Sequence, residues 1–120
     1  MKNMKAQIVA ALREVTENVV DQYPKTWEQL PVITVIEEEN KVYEATERES
    51  KSQVRYRIDI WNDKSTSSTA LDIDAKVGIK GLGLYRTSCS DAPDPSGLKH
   101  KVMRYEGILD EDNDFVEWMR

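Results

Sequence analysis

The clearest pattern of apolar and polar positions lies in residues 53–62, which read QVRYRIDIWN. Four apolar side chains alternate here with four that are charged or amphipathic: Val54, Tyr56, Ile58 and Ile60 with Arg55, Arg57, Asp59 and Trp61. Because successive side chains of a strand point to opposite faces, this alternation predicts a strand with one face in a core and a second, presented face. We expect the other elements to pack on this strand or to pair with it.

The apolar pattern before this strand predicts a helix and a second strand. Apolar side chains recur at helical spacing over residues 4–21, at Met4, Ile8, Leu12, Val15 and Val19. This stripe favours packing on the protein's own sheet over a surface for a partner helix, because a lone sheet must bury one face. Residues 32–38, VITVIEE, are dense in β-branched side chains and predict a strand. Trp27, in the connector, is either a plug over the end of the core or an interface anchor.

The pattern after residue 62 predicts a helix followed by a hairpin. A helix is expected from Ser65 or Thr66 to about residue 80, with its inward stripe at Ala70, Ile73 and Val77, helped by Leu71. Residues 82–90 and 99–109 then predict two paired strands. Of the second, one face carries Met103, Tyr105, Gly107 and Leu109, and the other carries His100, Val102, Arg104 and Glu106.

Residues 39–52 connect the two predicted strands and are rich in Glu, Lys, Arg and Ser. This segment is long for a hairpin connection, where two to five residues are usual. Either the flanking strands extend outward as a polar arm, or the segment is a solvated loop. Val42 and Tyr43 would be oddly exposed in a purely solvated loop, whereas an arm that reaches a neighbouring subunit would explain them.

Length and order predict one α+β domain covering residues 1–120. The expected order is α-β-β-α-β-β, with a mainly antiparallel sheet and two helices packed on one face. A chain of 120 residues is long enough to bury an independent core. No apolar run approaches the length that spans a bilayer, so we expect no membrane segment. The net charge of −5 argues against a DNA-binding domain that depends on phosphate neutralisation.

The residue types that carry catalysis or hold metals are sparse. Cys89 is the one cysteine, which excludes an internal disulfide and a cysteine-based zinc site and suits a reducing cytosol. His100 is the one histidine, and we expect it to face solvent rather than to act as a general base. The acidic run at residues 110–114 lacks the spacing of a calcium loop. We therefore predict a protein without catalytic, cofactor or metal-binding residues.

Several segments resemble the tail terminator (tail completion, or tail-to-head joining) proteins of long-tailed phages and prophages. The first is the proline-led strand LPVITV at residues 30–35. The second is YRIDIWND at residues 56–63, followed by a Ser/Thr-capped helix that ends in LGLYR at residues 82–86. The third is the closing strand KVMRYEG at residues 101–107. The apolar C-terminal segment, residues 115–120, has no place in the family pattern, and we expect it to dock on its own domain or on a neighbour.

The resemblance implies a virion protein that assembles in the host cytoplasm as a ring, commonly hexameric, on the last ring of the tail tube. There it would stop tube polymerisation and dock the head connector, while DNA passes through without specific binding; no cofactor and no membrane are implied. The subunit or partner interface would use Arg55, Arg57, Asp59, Trp61, Val42 and Tyr43. Acidic residues would line the bore: Glu47, Glu49, Asp110, Glu111 and Asp112. The alternative is a small cytosolic, non-enzymatic protein-binding module of the inhibitor or immunity type.

Overall fold

The computed structural model describes residues 2–45, 49–110 and 116–117. The helices are α1 (Lys5–Leu12) and α2 (Ser67–Val77). The strands are β1 (Val19–Val20), β2 (Val32–Ala45), β3 (Glu49–Asn62), β4 (Tyr85–Asp91), β5 (Lys99–Asp110) and β6 (Val116–Glu117). The expected α+β class is confirmed, and the order differs from the prediction by the two short strands β1 and β6.

The described strands form one sheet in the order β1-β2-β3-β5-β4, with β6 beside the far end of β5. β1 runs parallel to β2, and the other described pairings are antiparallel. In the middle of the sheet, Ile58 of β3 lies between Val35 of β2 and Met103 of β5. The strand predicted from the alternation is therefore confirmed, and it has the central position that we expected.

The core lies between one face of the sheet and the two helices. Val54, Tyr56, Ile58 and Ile60 of β3 all point into it and are almost completely buried. Both helices contribute to the same cluster, through Ile8, Leu12, Ala70, Ile73 and Val77. Burying this many aliphatic side chains is the dominant favourable contribution to folding, at roughly 1.5–3 kcal/mol for each one fully buried.

Tyr56 also connects the central strand to the start of α1. Its hydroxyl donates to Glu37 Oε1 at 3.1 Å and accepts from the backbone N–H of Met4 at 2.7 Å. Burial raises the pKa of Tyr56 above its ordinary value, so the phenol stays protonated and available as a donor. The buried polar atom of this core residue is thus fully satisfied.

The first helix is shorter than the pattern predicted, because its second half becomes a turn and a strand. Met4, Ile8 and Leu12 are buried as expected, but the helix ends at Leu12. The Thr16 hydroxyl accepts from the backbone N–H of Asn18 at 3.3 Å, and Val19 then pairs with Ile33 of β2. β-Branched residues fit a strand better than a helix, and the edge of β2 offers them backbone partners.

The second helix also differs from its prediction in two details. It ends at Val77, with Gly78 as its C-cap rather than as an interior residue. Leu71 was expected to help the inward stripe, and this was wrong, since its side chain is 73% exposed. Leu71 directly follows Ala70, and adjacent residues of a helix point about 100° apart. Of these two residues, therefore, only Ala70 faces the sheet.

The polar segment between the two strands forms an arm, as the first of the two interpretations proposed. β2 and β3 stay paired as far as Ala45 and Glu49, with register shifts between Glu37 and Glu39 and again between Val42 and Ala45. We use "the arm" for residues 39–45 and 49–52. The C-terminal segment, residues 115–120, lies outside the described residues except for β6, which pairs with Ile108 and Leu109 of β5.

Replacing Ile58 by alanine should lower the free energy of unfolding by about 3–4 kcal/mol, because it leaves a cavity beside the central strand. Urea denaturation followed by tryptophan fluorescence would measure this loss. Leu71→Ala is the matched control, and its effect should stay within about 0.5 kcal/mol because that side chain is exposed. Similar losses for the two variants would contradict the assignment of the core face.

Candidate interaction surface

The face of the sheet opposite the helices, here called the open face, combines three strands. The registers of β2, β3 and β5 place the following side chains on it: Thr34, Ile36, Arg55, Arg57, Asp59, Trp61, His100, Val102, Arg104 and Glu106. The presented face predicted for the central strand is therefore part of a larger surface, to which β2 and β5 also contribute. Its exposed part and its buried part have different chemistry.

The more exposed part of the open face is a set of cross-strand ion pairs. Arg55 Nε lies 2.8 Å from Glu106 Oε1, and a second Arg55 nitrogen lies 3.6 Å from Glu39. Arg104 Nε reaches across β3 to Glu38 Oε1 at 3.0 Å. Partly exposed pairs of this kind contribute little to the free energy of unfolding, because water screens the charges. They keep the arginine side chains in fixed positions and balance their charge within the chain.

The buried part is organised around the Asp59 carboxylate, whose residue is only 2% exposed. Arg57 donates to both oxygens, from Nε at 2.7 Å and from its terminal nitrogen at 2.8 Å. His100 Nε2 lies 2.7 Å from Asp59 Oδ2. The hydrogen bond to Asp59 raises the pKa of Arg57 above its ordinary value. A buried carboxylate is tolerated because these partners replace its water.

Aromatic rings cover this charged centre. The Trp61 ring stacks on His100 with centroids 4.7 Å apart and an interplanar angle of 3°. Tyr23 and Trp27 then pack on Trp61 at centroid distances of 5.6 and 5.9 Å. Trp27 therefore packs inside its own chain, but it covers the open face and not the end of the core, where one of the two interpretations had placed it as a plug. The connector before β2 thus closes one end of the open face.

Asp94, in the loop before β5, completes this buried region. It accepts hydrogen bonds from the Tyr23 hydroxyl at 2.9 Å and from the Ser96 backbone at 3.0 Å. Burial raises the pKa of Asp94, but hydrogen bonds from Ser96 and Tyr23 help to outweigh this, and the pKa is lowered to about 2. Asp94 is therefore ionised whenever the protein is folded near neutral pH.

The expectation that His100 faces solvent was wrong, because its side chain is 6% exposed and lies between Trp61 and two carboxylates. Strand alternation correctly placed His100 on the face opposite Met103. What it did not show is that the Tyr23–Trp27 connector and the Asp94 loop fold over that face. One feature of the sequence could have indicated that His100 is buried. Asp59 is an acid within the otherwise apolar run Ile58 to Trp61, and a buried acid needs a polar partner.

Among the predicted interface residues, the structure separates buried from exposed ones. Asp59 and Trp61 are 2% and 3% exposed, so they offer no surface to a second chain and instead hold their neighbours in place. Arg55 and Arg57 are partly exposed but already paired within the chain. Val42 and Tyr43, on the arm, are 53% and 54% exposed. These two side chains are the apolar part of the predicted set that remains accessible.

The predicted bore-lining acids are only partly covered by the structure. Glu49 begins β3 beside Ala45, and Asp110 ends β5 beside Lys51. Both positions lie at the arm end of the sheet. Glu47, Glu111 and Asp112 lie outside the described residues.

A shallow cleft lies between the start of α2 and the β4–β5 loop, with a volume of about 530 Å³. Thr66, Lys99 and Lys101 line it, but Lys101 Nζ is already held by Asp91 Oδ1 at 2.8 Å.

In the described residues, no group of three or more His, Cys, Asp or Glu side chains is placed to hold a metal ion. Cys89 lies exposed on β4.

Comparison with known proteins adds no family to this picture. No protein-family model matches the chain, and no curated protein matches it. The helices in the described ranges are too short and too polar for any of them to cross a membrane. The functional argument therefore depends on the geometry of the surface itself.

Replacing Asp94 by asparagine should destabilise the protein most above pH 5 and progressively less toward pH 2. The folded-state pKa of Asp94 is lowered from an ordinary 3.8 to about 2. Its ionised form therefore stabilises the fold above pH 4 by about 2 kcal/mol, and this contribution is lost as pH falls through about 2. Urea denaturation of both proteins between pH 2 and 7 would measure the difference.

Tyr23→Phe serves as the control for this pH effect, because it removes one of the hydrogen bonds that lower the pKa of Asp94. The carboxylate should stabilise that variant less than it stabilises the unmodified protein, and this smaller contribution should be fully lost at a higher pH, because the folded-state pKa of Asp94 lies closer to its ordinary value. A difference between the unmodified protein and Asp94→Asn that stays constant from pH 7 to pH 2 would contradict the role assigned to the carboxylate.

Proposed function

We propose that this chain is a structural subunit of a long-tailed phage or prophage. In this proposal it assembles as a ring on the end of the tail tube, stops tube polymerisation and forms the docking surface for the head connector. Its partners are other copies of the chain, the tail tube protein and a head-completion protein. DNA passes through the ring without specific binding, and the chain performs no catalysis.

The observation that carries this proposal is the arm. It holds Val42 and Tyr43 on a paired two-stranded ribbon, each more than half exposed. A tyrosine offers a large contact area and loses little conformational entropy on binding, and aromatic residues are accordingly enriched at protein interfaces. The arm therefore has the properties expected of a contact element that inserts against another protein chain.

Two further features support assembly from identical subunits. The α+β fold and the order of its main elements agree with those expected from the sequence pattern. A head-to-tail contact between identical subunits either closes into a ring or continues as a filament. A protein that ends the growth of a tube requires the closed arrangement.

The charge of the chain supports the passage of DNA. Each subunit carries a net charge of −5, so a ring of several copies repels the phosphates of a duplex within it. Glu49 and Asp110, at the arm end of the sheet, are the described acids that we propose face the bore. Weak repulsion of this kind lets a duplex slide rather than bind.

Replacing both Val42 and Tyr43 by glutamate should abolish ring formation and capping of tail tubes, because it places charge on a contact that must be desolvated. Light scattering after size-exclusion chromatography would give the mass, and negative-stain images of mixtures with tail tubes would show capped ends. Leu71→Glu is the matched control, since Leu71 is also apolar and is even more exposed, but lies on α2.

The control variant should form rings and cap tubes like the unmodified protein. An unmodified protein that leaves tubes uncapped and stays monomeric beside them would contradict the proposal. Stoichiometric binding of that monomer to one unrelated protein would instead support the alternative of a small protein-binding module.

A further inference from the structure

The sheet has two edges that face away from the core, and they differ in length and position. β1 covers the outer side of β2 only at Ile33 and Thr34. Within the described residues, no strand continues β1 along residues 35–45. On the other side the sheet ends with β4, a strand of seven residues that are nearly all exposed. Strand edges present backbone donors and acceptors to which another strand can add.

We propose that copies of this chain join edge to edge, with β4 of one copy adding to the outer edge of β2 in the next. This inference rests on the ring proposed above and identifies the surfaces that form it. It concerns a second copy of the chain as the occupant of each edge. The argument comes from strand direction, strand length and the exposed side chains along the two edges.

Strand direction makes this contact antiparallel. β2, β3, β5 and β4 are neighbours in that order, and each pair is antiparallel, so β4 runs opposite to β2. In a ring with cyclic symmetry, all copies keep the same orientation along the axis. β4 therefore meets the β2 of the next copy in the antiparallel sense, which is the slightly more stable pairing and continues the sheet without a break.

Strand length then limits the register. The part of β2 that lies beyond β1 begins at residue 35 and ends at Ala45. If all seven residues of β4 pair one to one, Asp91 cannot lie opposite a position before residue 35. Tyr85, at the other end of β4, must then lie opposite one of residues 41–45. These positions belong to the arm.

The side chains at this meeting point are complementary. Tyr85 is 44% exposed and lies beside Glu106, on the open face. In the opposing segment, Val42 is in register with Ser52 and Leu109 on the helix side, so the next residue, the exposed Tyr43, is the one whose side chain shares the face of Tyr85. Aromatic and β-branched side chains on neighbouring strands pack favourably across an antiparallel pair. The contact would bury Tyr85 together with Tyr43, and so gives the arm a receiving surface on the neighbouring copy.

Each edge also carries a feature that restricts which strand can add to it. β2 has a register shift between Glu37 and Glu39, and β4 has one between Arg86 and Ser88. Bulges and charged side chains at sheet edges discourage indiscriminate pairing. A partner strand must match these irregularities, and this favours a specific contact over open-ended aggregation.

The test uses pairs of engineered cysteines and a short thiol-to-thiol cross-linker on the full chain, with Cys89→Ser as the background. One variant carries Tyr85→Cys with Val42→Cys, and a second carries Tyr85→Cys with Tyr43→Cys, so that neighbouring registers are covered. The matched control pair is Leu71→Cys with Ile79→Cys, two exposed apolar positions on the helix side. Denaturing gels would show the covalent products, and light scattering would give the mass before cross-linking.

A ladder of dimers, trimers and higher species in either double variant, absent from the single variants and the control pair, is the expected result. Dimers from Tyr85→Cys alone would overturn the inference in favour of a twofold contact between two β4 edges. Rings in light scattering without a ladder would overturn the edge contact while leaving the proposed function standing. A protein that stays monomeric at its highest soluble concentration and on tail tubes, again without a ladder, would overturn both.

Discussion

The structure depends on burying both faces of its central strand by different means. The face of β3 that carries Tyr56 and Ile58 is covered by apolar side chains and two helices. The opposite face is covered partly by ion pairs and partly by the Trp61–His100 stack. A strand covered in this way has one acceptable register, because a slip of one residue would exchange its arginines with its isoleucines. The positions of β2 and β5 follow from that register.

The same arrangement divides the open face into two regions. At the end near the start of β2, the connector with Tyr23 and Trp27 and the loop with Asp94 close over Asp59 and His100. The apolar side chains that stay exposed on the open face lie toward the arm and the edges, at Ile36, Tyr43 and Tyr85. The proposed contacts between copies use this second region, whose apolar side chains are partly exposed.

The buried charge network has a structural reason that does not require catalysis. Asp59 lies under aromatic rings, and Arg57 and His100 satisfy its oxygens. A buried ion pair of this kind contributes little net stability compared with apolar side chains, but removing one partner is costly. We interpret it as the device that positions Trp61, and through Trp61 the connector that leads into β2.

The sequence by itself determined the central strand and its inward face, the division of β5 into two faces, the α+β class and the buried helix positions Ile8, Leu12, Ala70, Ile73 and Val77. Each of these depends on local periodicity, because side-chain direction repeats every 2 residues in a strand and every 3.6 in a helix. Only the tertiary structure decided that Val19 pairs with β2, that Leu71 is exposed and that His100 is buried beside Asp59. These outcomes depend on which distant segments lie together, and periodicity contains no information about such contacts.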